Sequence, residues 1–158
     1  STLVYITGKV PSDIKIIELS RKRWDDLVDK FINTPATVLQ TAFELFVPGG
    51  KKDPRLYKNA LGTAMIIGPD LPTGAKVTGA DRARVEVFRG ALRPFSTTVN
   101  QELSDVLKSK IRSFLVLPGS IDGKDGDNDK IARALDYFIT DAARGSSEVT
   151  FCIDETRE

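Results

Sequence analysis

The chain has 158 residues, of which 41% are hydrophobic and 28% are charged, and its formal net charge at pH 7 is +1. This length and composition predict one ordinary globular domain over residues 1–158, and no apolar run approaches the roughly 18 residues that a membrane-spanning helix needs. The chain has one cysteine and no histidine, which excludes an intramolecular disulfide, Ser-His-Asp and Cys-His catalysis, and the usual structural zinc sites.

Two β-strands are predicted at the start of the chain. The first covers 3–7, is rich in β-forming residues and stops at Gly8. The second covers 14–19 and follows a Pro-Ser-Asp turn signal. The two strands are expected to form a hairpin.

Three helices are predicted next, because apolar residues recur with helical period after three helix-start signals. These signals are an N-cap at Ser20 and the pairs Thr34-Pro35 and Asp53-Pro54. A Pro-Gly-Gly segment ends the second helix, and a Gly-Pro pair ends the third at about residue 68.

The middle of the chain is predicted to hold a loop and a strand. Residues 68–80 are rich in glycine and proline and lack periodicity, which is typical of a loop. Residues 83–89 alternate, with Val85 and Val87 on one face and arginines on the other, which indicates a third strand.

The last third of the chain is predicted to add two helices and a strand. Thr98 and Gln101 form a capping-box pattern before a long helix that ends ahead of Pro118. A fifth apolar stripe follows over 131–142, and 148–154 closes the chain as a strand. The predicted fold is therefore α+β, with about five helices packed on a small sheet of three to four strands.

Charge is segregated along the chain. Residues 1–112 hold 18 Lys and Arg against 12 Asp and Glu, whereas residues 113–158 hold 5 against 10. Such a dipole favours a basic surface for a polyanion, or complementary faces that join one copy to the next. A chance distribution over a solvated surface is the alternative.

Two basic segments are candidate nucleic-acid sites. The first contains glycines before a helix start, where free backbone N–H groups and nearby cations could meet phosphate, although no Walker motif is present. The second places arginines beside Phe88 and Phe95, as a single-stranded RNA platform would. The candidate residues are Lys51, Lys52, Arg55, Lys58, Lys76, Arg82, Arg84, Arg89 and Arg93.

No metal or cofactor site is predicted. The acidic loop that begins at Asp125 resembles a calcium loop, but Lys130 occupies the position where the sharp turn requires glycine. Cys152 has no neighbouring cation in the sequence that would lower its pKa, so a catalytic thiol is not expected.

The sequence predicts a non-enzymatic, self-assembling structural protein of the nucleocapsid, coat or matrix type. Its expected partners are copies of itself and a polyanion, most simply RNA, and its expected location is intracellular, within a particle or free. One alternative is a small enzyme or ligand-binding domain that acts on a phosphorylated or anionic small molecule. Another is an adaptor that binds a protein partner. The residues of the small-molecule site would be Asp53, Arg55, Asp81 and Arg84.

Overall fold

A four-stranded parallel sheet forms the centre of the fold, in a computed structural model that describes residues 1–12, 14–47, 54–72, 77–118, 127–140 and 150–153. The strands follow one another across the sheet in chain order. The predicted mixture of helices and sheet is confirmed. The strands are β1 (Thr2–Ile6), β2 (Gly62–Ile67), β3 (Ile111–Pro118) and β4 (Thr150–Ile153).

Helical segments separate the strands. A short 3₁₀ turn (Ile16–Glu18) precedes the first helices, a π-helical segment (Asp29–Asn33) joins α1 to α2, and a second 3₁₀ segment (Pro54–Asn59) leads into β2. In the described part of the chain, no helix is both long and apolar enough to cross a membrane. The helices are α1 (Arg21–Val28), α2 (Thr34–Phe46), α3 (Gly79–Gln101), α4 (Asp105–Lys108) and α5 (Asp127–Phe138).

The two central strands are mostly apolar and almost completely buried because helices cover both of their faces. Ala64 and Ile66 of β2 pack in a cluster with residues of α2 and α3, whereas the alternate residues Met65 and Ile67 pack in a cluster that includes Phe138 of α5. The helices α2 and α3 therefore lie on one face of the sheet, and α5 lies on the other.

A capping box starts α3. The Thr78 hydroxyl accepts a hydrogen bond from the Asp81 backbone N–H, and the Asp81 carboxylate accepts one from the Thr78 N–H. This arrangement satisfies two backbone donors at the helix start. The buried residues Val85, Phe88 and Leu92 follow at helical spacing and face the core.

Several predicted elements are confirmed. The strand predicted at 3–7 is β1, and the strand predicted at 148–154 is β4. The predicted cap of α1 is also present, because the Ser20 hydroxyl accepts a hydrogen bond from the Arg23 backbone N–H. The helices predicted after Thr34-Pro35 and over 131–142 correspond to α2 and α5.

Four other predictions are wrong. The strand predicted at 14–19 is a 3₁₀ turn with loop on either side, and the strand predicted at 83–89 lies inside α3. The third predicted helix holds only the 3₁₀ segment and then β2, and most of the fourth is α4 and β3. The two mistaken helices contained short apolar runs, which helical periodicity does not distinguish from buried strands.

Candidate assembly and polyanion-binding surfaces

The strand β1 lies at one edge of the sheet and pairs only with β2 among the described strands. Two backbone hydrogen bonds show which groups face β2. The Thr7 N–H donates to the Ile67 carbonyl (2.9 Å), and the Ser1 carbonyl accepts from the Thr63 N–H (3.0 Å). Because hydrogen-bonding groups alternate in direction along a strand, the backbone groups of Thr2, Val4 and Ile6 point away from β2. These groups form an edge with which a further strand could pair.

The same residues carry exposed apolar side chains. Val4 and Ile6 pair in register with Met65 and Ile67 and therefore lie on the sheet face that α5 covers. However, Val4 is 40% exposed and Ile6 is 66% exposed, whereas Met65 and Ile67 are buried. The cover provided by the described part of α5 therefore does not extend over β1.

The strand β1 itself contains no charged residue that would discourage pairing at this edge. The five residues of β1 are Thr, Leu, Val, Tyr and Ile, and the next charged side chain along the chain is Lys9. The Lys9 ammonium lies 3.2 Å from the Asp70 carboxylate and donates to the Leu71 carbonyl. Edge strands are commonly protected by lysines, prolines or bulges, and β1 has neither a lysine nor a proline.

The predicted arginine platform has a different geometry. Since residues 83–89 are helical, Arg82 and Phe88 lie on different sides of α3, and the Phe88 side chain is buried in the core rather than exposed beside the arginines. Helical spacing instead brings Arg82, Arg89 and Arg93 to one side of α3. These three arginines therefore lie along one side of a helix rather than on the face of a strand.

Arg89 is buried at the carboxyl ends of two strands. Its guanidinium donates to the carbonyl of Pro69, just after β2, and to the carbonyl of Pro118, at the end of β3, at 2.7 Å each. The residue is 9% exposed. Desolvation lowers its pKa, and the nearby Glu86 carboxylate opposes that shift. Arg89 thus stabilises the fold by joining β2 to β3, and little of it is accessible to a polyanion.

Two further arginines are engaged in ion pairs. The Arg84 guanidinium contacts the Asp81 carboxylate at 2.6 Å, and both side chains are largely buried. Hydrogen bonds from Thr78 and then from Arg84 hold the pKa of the Asp81 carboxyl below its usual value. Arg93 contacts Glu86 at 2.9 Å but keeps 42% of its side chain exposed.

The remaining predicted cations are divided between exposed and undescribed positions. Arg82 is exposed on α3, with no ion pair to another residue of the described ranges, and Arg55 is exposed on the 3₁₀ segment before β2. Lys51, Lys52 and Lys76, and the side chain of Lys58, lie outside the described residues. The structure therefore leaves Arg82 and Arg93 as accessible cations on one side of α3, whereas Arg89 on the same side is buried and Arg84 is bound to Asp81.

The other predicted sites receive little support from the structure. Asp53 and Asp125 lie outside the described residues, and Asp81 and Arg84 are bound to each other. Cys152 is exposed near the end of β4. Within the described ranges no group of three or more Cys, Asp or Glu side chains is placed to hold a metal ion.

The β1 edge was not predicted from the sequence. One sequence signal for this edge exists, which is the absence of charge from the first predicted strand. The position of that strand at the edge of the sheet, however, depends on long-range pairing. Comparison with known proteins provides no independent assignment: no protein-family model matches the chain, and no curated protein matches its sequence.

Proposed function

We propose that this protein is a self-associating structural protein whose copies join through β1, with RNA as a second partner. The observation that carries the proposal is an uncharged edge strand with outward-facing backbone groups and exposed apolar side chains at Val4 and Ile6. An edge of this kind is a template for pairing with another strand.

A second copy of the chain is the occupant that this edge fits. An antiparallel pair of β1 strands related by a two-fold axis would place Val4 opposite Val4 and Thr2 opposite Ile6. No charges would face each other, because β1 contains none. The two four-stranded sheets would become one eight-stranded sheet.

Pairing would also shield apolar surface. Val4 and Ile6 lie on the same sheet face within one copy, so Val4 would face the second Val4 directly, and Ile6 would lie diagonal to it. Backbone hydrogen bonds would fix the register, and contact among the four apolar side chains would add to the affinity. The result is a closed dimer, which can serve as the unit of a larger structural assembly.

The test compares two isoleucine-to-lysine substitutions. Ile6→Lys places a charge on the β1 edge, whereas Ile17→Lys alters a residue that is 92% exposed in the 3₁₀ turn. Sedimentation velocity at a series of concentrations should show a monomer–dimer equilibrium for the wild type and for Ile17→Lys. Ile6→Lys should weaken dimerisation by about tenfold or more, which corresponds to about 1.4 kcal/mol.

Three results would count against β1 pairing. These are a wild-type protein that stays monomeric at all concentrations, an open-ended series of oligomers, and equal dimerisation by the wild type and Ile6→Lys. Circular dichroism of both variants would show that they remain folded, which is expected because both side chains are mostly exposed.

RNA binding rests on the accessible arginines of α3. Arg82 and Arg93 lie on one side of the helix, and arginine matches phosphate oxygens well. Arg82→Gln should weaken binding to a fluorescein-labelled single-stranded RNA and reduce the slope of log affinity against log salt by about 1. Arg21→Gln is the control, since Arg21 is an exposed arginine of α1 that pairs with Asp25. Fluorescence anisotropy that shows no wild-type binding at low salt would refute this part of the proposal.

A further inference from the structure

A cavity of about 350 Å³ lies between the ends of α2 and α3 and the start of β3. Its deep wall is apolar and almost completely buried, and consists of Phe43, Val47, Leu107 and Ile111. The volume is within the range of small-molecule sites, which is roughly 300–1,000 Å³. The cavity can therefore hold a small organic molecule.

The polar groups of the lining give the cavity a negative character. Glu102, which is exposed at the C-cap of α3, is the charged residue among those that line it. The same end of α3, a 23-residue helix, carries the negative pole of the helix dipole. A cation would be stabilised here, and an anion would be repelled.

Aromatic rings add to this preference. Phe43 and Tyr57 both line the cavity. The faces of aromatic rings attract ammonium groups, and apolar walls favour a ligand with a hydrocarbon body. The Glu102 carboxylate, the aromatic rings and the apolar walls together favour a ligand that carries a positive charge on a hydrocarbon body.

We propose that this cavity binds a small organic cation, an ammonium group on an apolar body, with the ammonium near Glu102 and the body against Phe43 and Leu107. The site is independent of the proposed assembly, because none of its lining residues belongs to β1. Failure of one proposal would leave the other in place.

The experiment is a ¹⁵N–¹H NMR titration of the full chain with three probes of similar shape. They are 2-phenylethylammonium, the neutral 2-phenylethanol and the anionic 3-phenylpropanoate. The ammonium probe should shift amides around residues 99–107 with a dissociation constant of about 1 mM or lower and should bind about tenfold more tightly than the alcohol. The carboxylate should bind most weakly.

Two charge-removing variants test the assignment. Glu102→Gln should abolish the preference for the ammonium probe over the alcohol, while Glu18→Gln, an exposed carboxylate on the 3₁₀ turn, should leave it unchanged. The proposal is overturned if the three probes bind equally, if the shifts lie away from the cavity, if no probe binds at about 10 mM, or if Glu102→Gln keeps the preference.

Discussion

Asn100 provides hydrogen bonds to β3 beyond the described part of β4. Among the described residues, β4 pairs with Leu115 to Pro118 only. The carbonyls of Lys110 and Val116 face β2, so the backbone of Ser113 faces the opposite side. There the Asn100 side-chain amide donates to the Ser113 carbonyl and accepts from its N–H, at 2.8 Å each. A side chain of α3 thus takes the place of a strand.

Asn100→Leu should therefore be strongly destabilising. It leaves a buried N–H and a buried carbonyl without partners, at about 1–3 kcal/mol each, so the free energy of unfolding should fall by about 2–6 kcal/mol. Thr97→Ala, one turn earlier on the exposed side of α3, should change it by less than about 0.5 kcal/mol. Urea denaturation measures both. Equal effects of the two variants would show that the amide does not replace a strand.

The Asp81 carboxylate makes the stability of the folded protein depend on pH. Its folded-state pKa is lowered by hydrogen bonds from Thr78 and by Arg84, so its contribution is present above the unfolded-state pKa, about 3.9, and is lost as the pH falls through the lower folded-state value. The stability advantage of the wild type over Asp81→Asn should be constant from pH 5 to 7 and should shrink below about pH 4. Urea denaturation across this range tests it, and a constant difference down to pH 2.5 would contradict it.

At the scale of the elements, α2 passes close over the start of β2. A Cβ atom added to Gly62 would overlap the ring of Phe46, whereas one added to Gly79, at the start of α3, would meet nothing within 4 Å. Glycine at position 62 therefore allows the helix to approach the sheet.

Gly62→Ala should lower the free energy of unfolding by about 1–3 kcal/mol because it overpacks the core. Gly79→Ala should be neutral or stabilise by up to about 1 kcal/mol, since it only restricts the unfolded chain. Thermal or urea unfolding of the two variants gives the comparison. Equal stability of Gly62→Ala and Gly79→Ala would contradict the close contact between the Phe46 ring and position 62.

The sequence predicts elements whose local signals agree and fails where they compete. The cap at Ser20 and the helical period after it both indicate α1, and this prediction is confirmed. Val85 and Val87 alternate as in a strand, but Val85, Phe88 and Leu92 also recur as in a helix. The segment is helical because the helical set is the one that is buried in the core. In β2 and β3 the chain is buried on both faces, so the alternation that marks a half-buried strand is absent.

At the scale of the whole molecule, part of the candidate site was predictable. Charge segregation predicted a basic surface for a polyanion or complementary faces between copies, and both stay predictions. Strand order places β1 at the edge, and this depends on pairing between β1 and β2, some 60 residues apart. Arg82 is accessible, whereas Arg89, two turns along the same side of α3, is buried because it contacts the ends of β2 and β3. Neither fact is encoded within a short window of sequence.

The response of self-association to salt distinguishes two ways in which copies could meet. The segregated charges of the sequence predict contact through opposite charges, whereas β1 pairing depends on backbone hydrogen bonds and uncharged apolar side chains. Salt at 1 M shortens the screening length to about 3 Å, which weakens attraction between exposed charges. For β1 pairing, the dimer dissociation constant should change by less than about twofold between 50 and 500 mM NaCl. Sedimentation velocity without RNA measures this dissociation constant, with Ile6→Lys as the weakly dimerising reference. A tenfold weakening at the higher salt would assign the contact to charge instead.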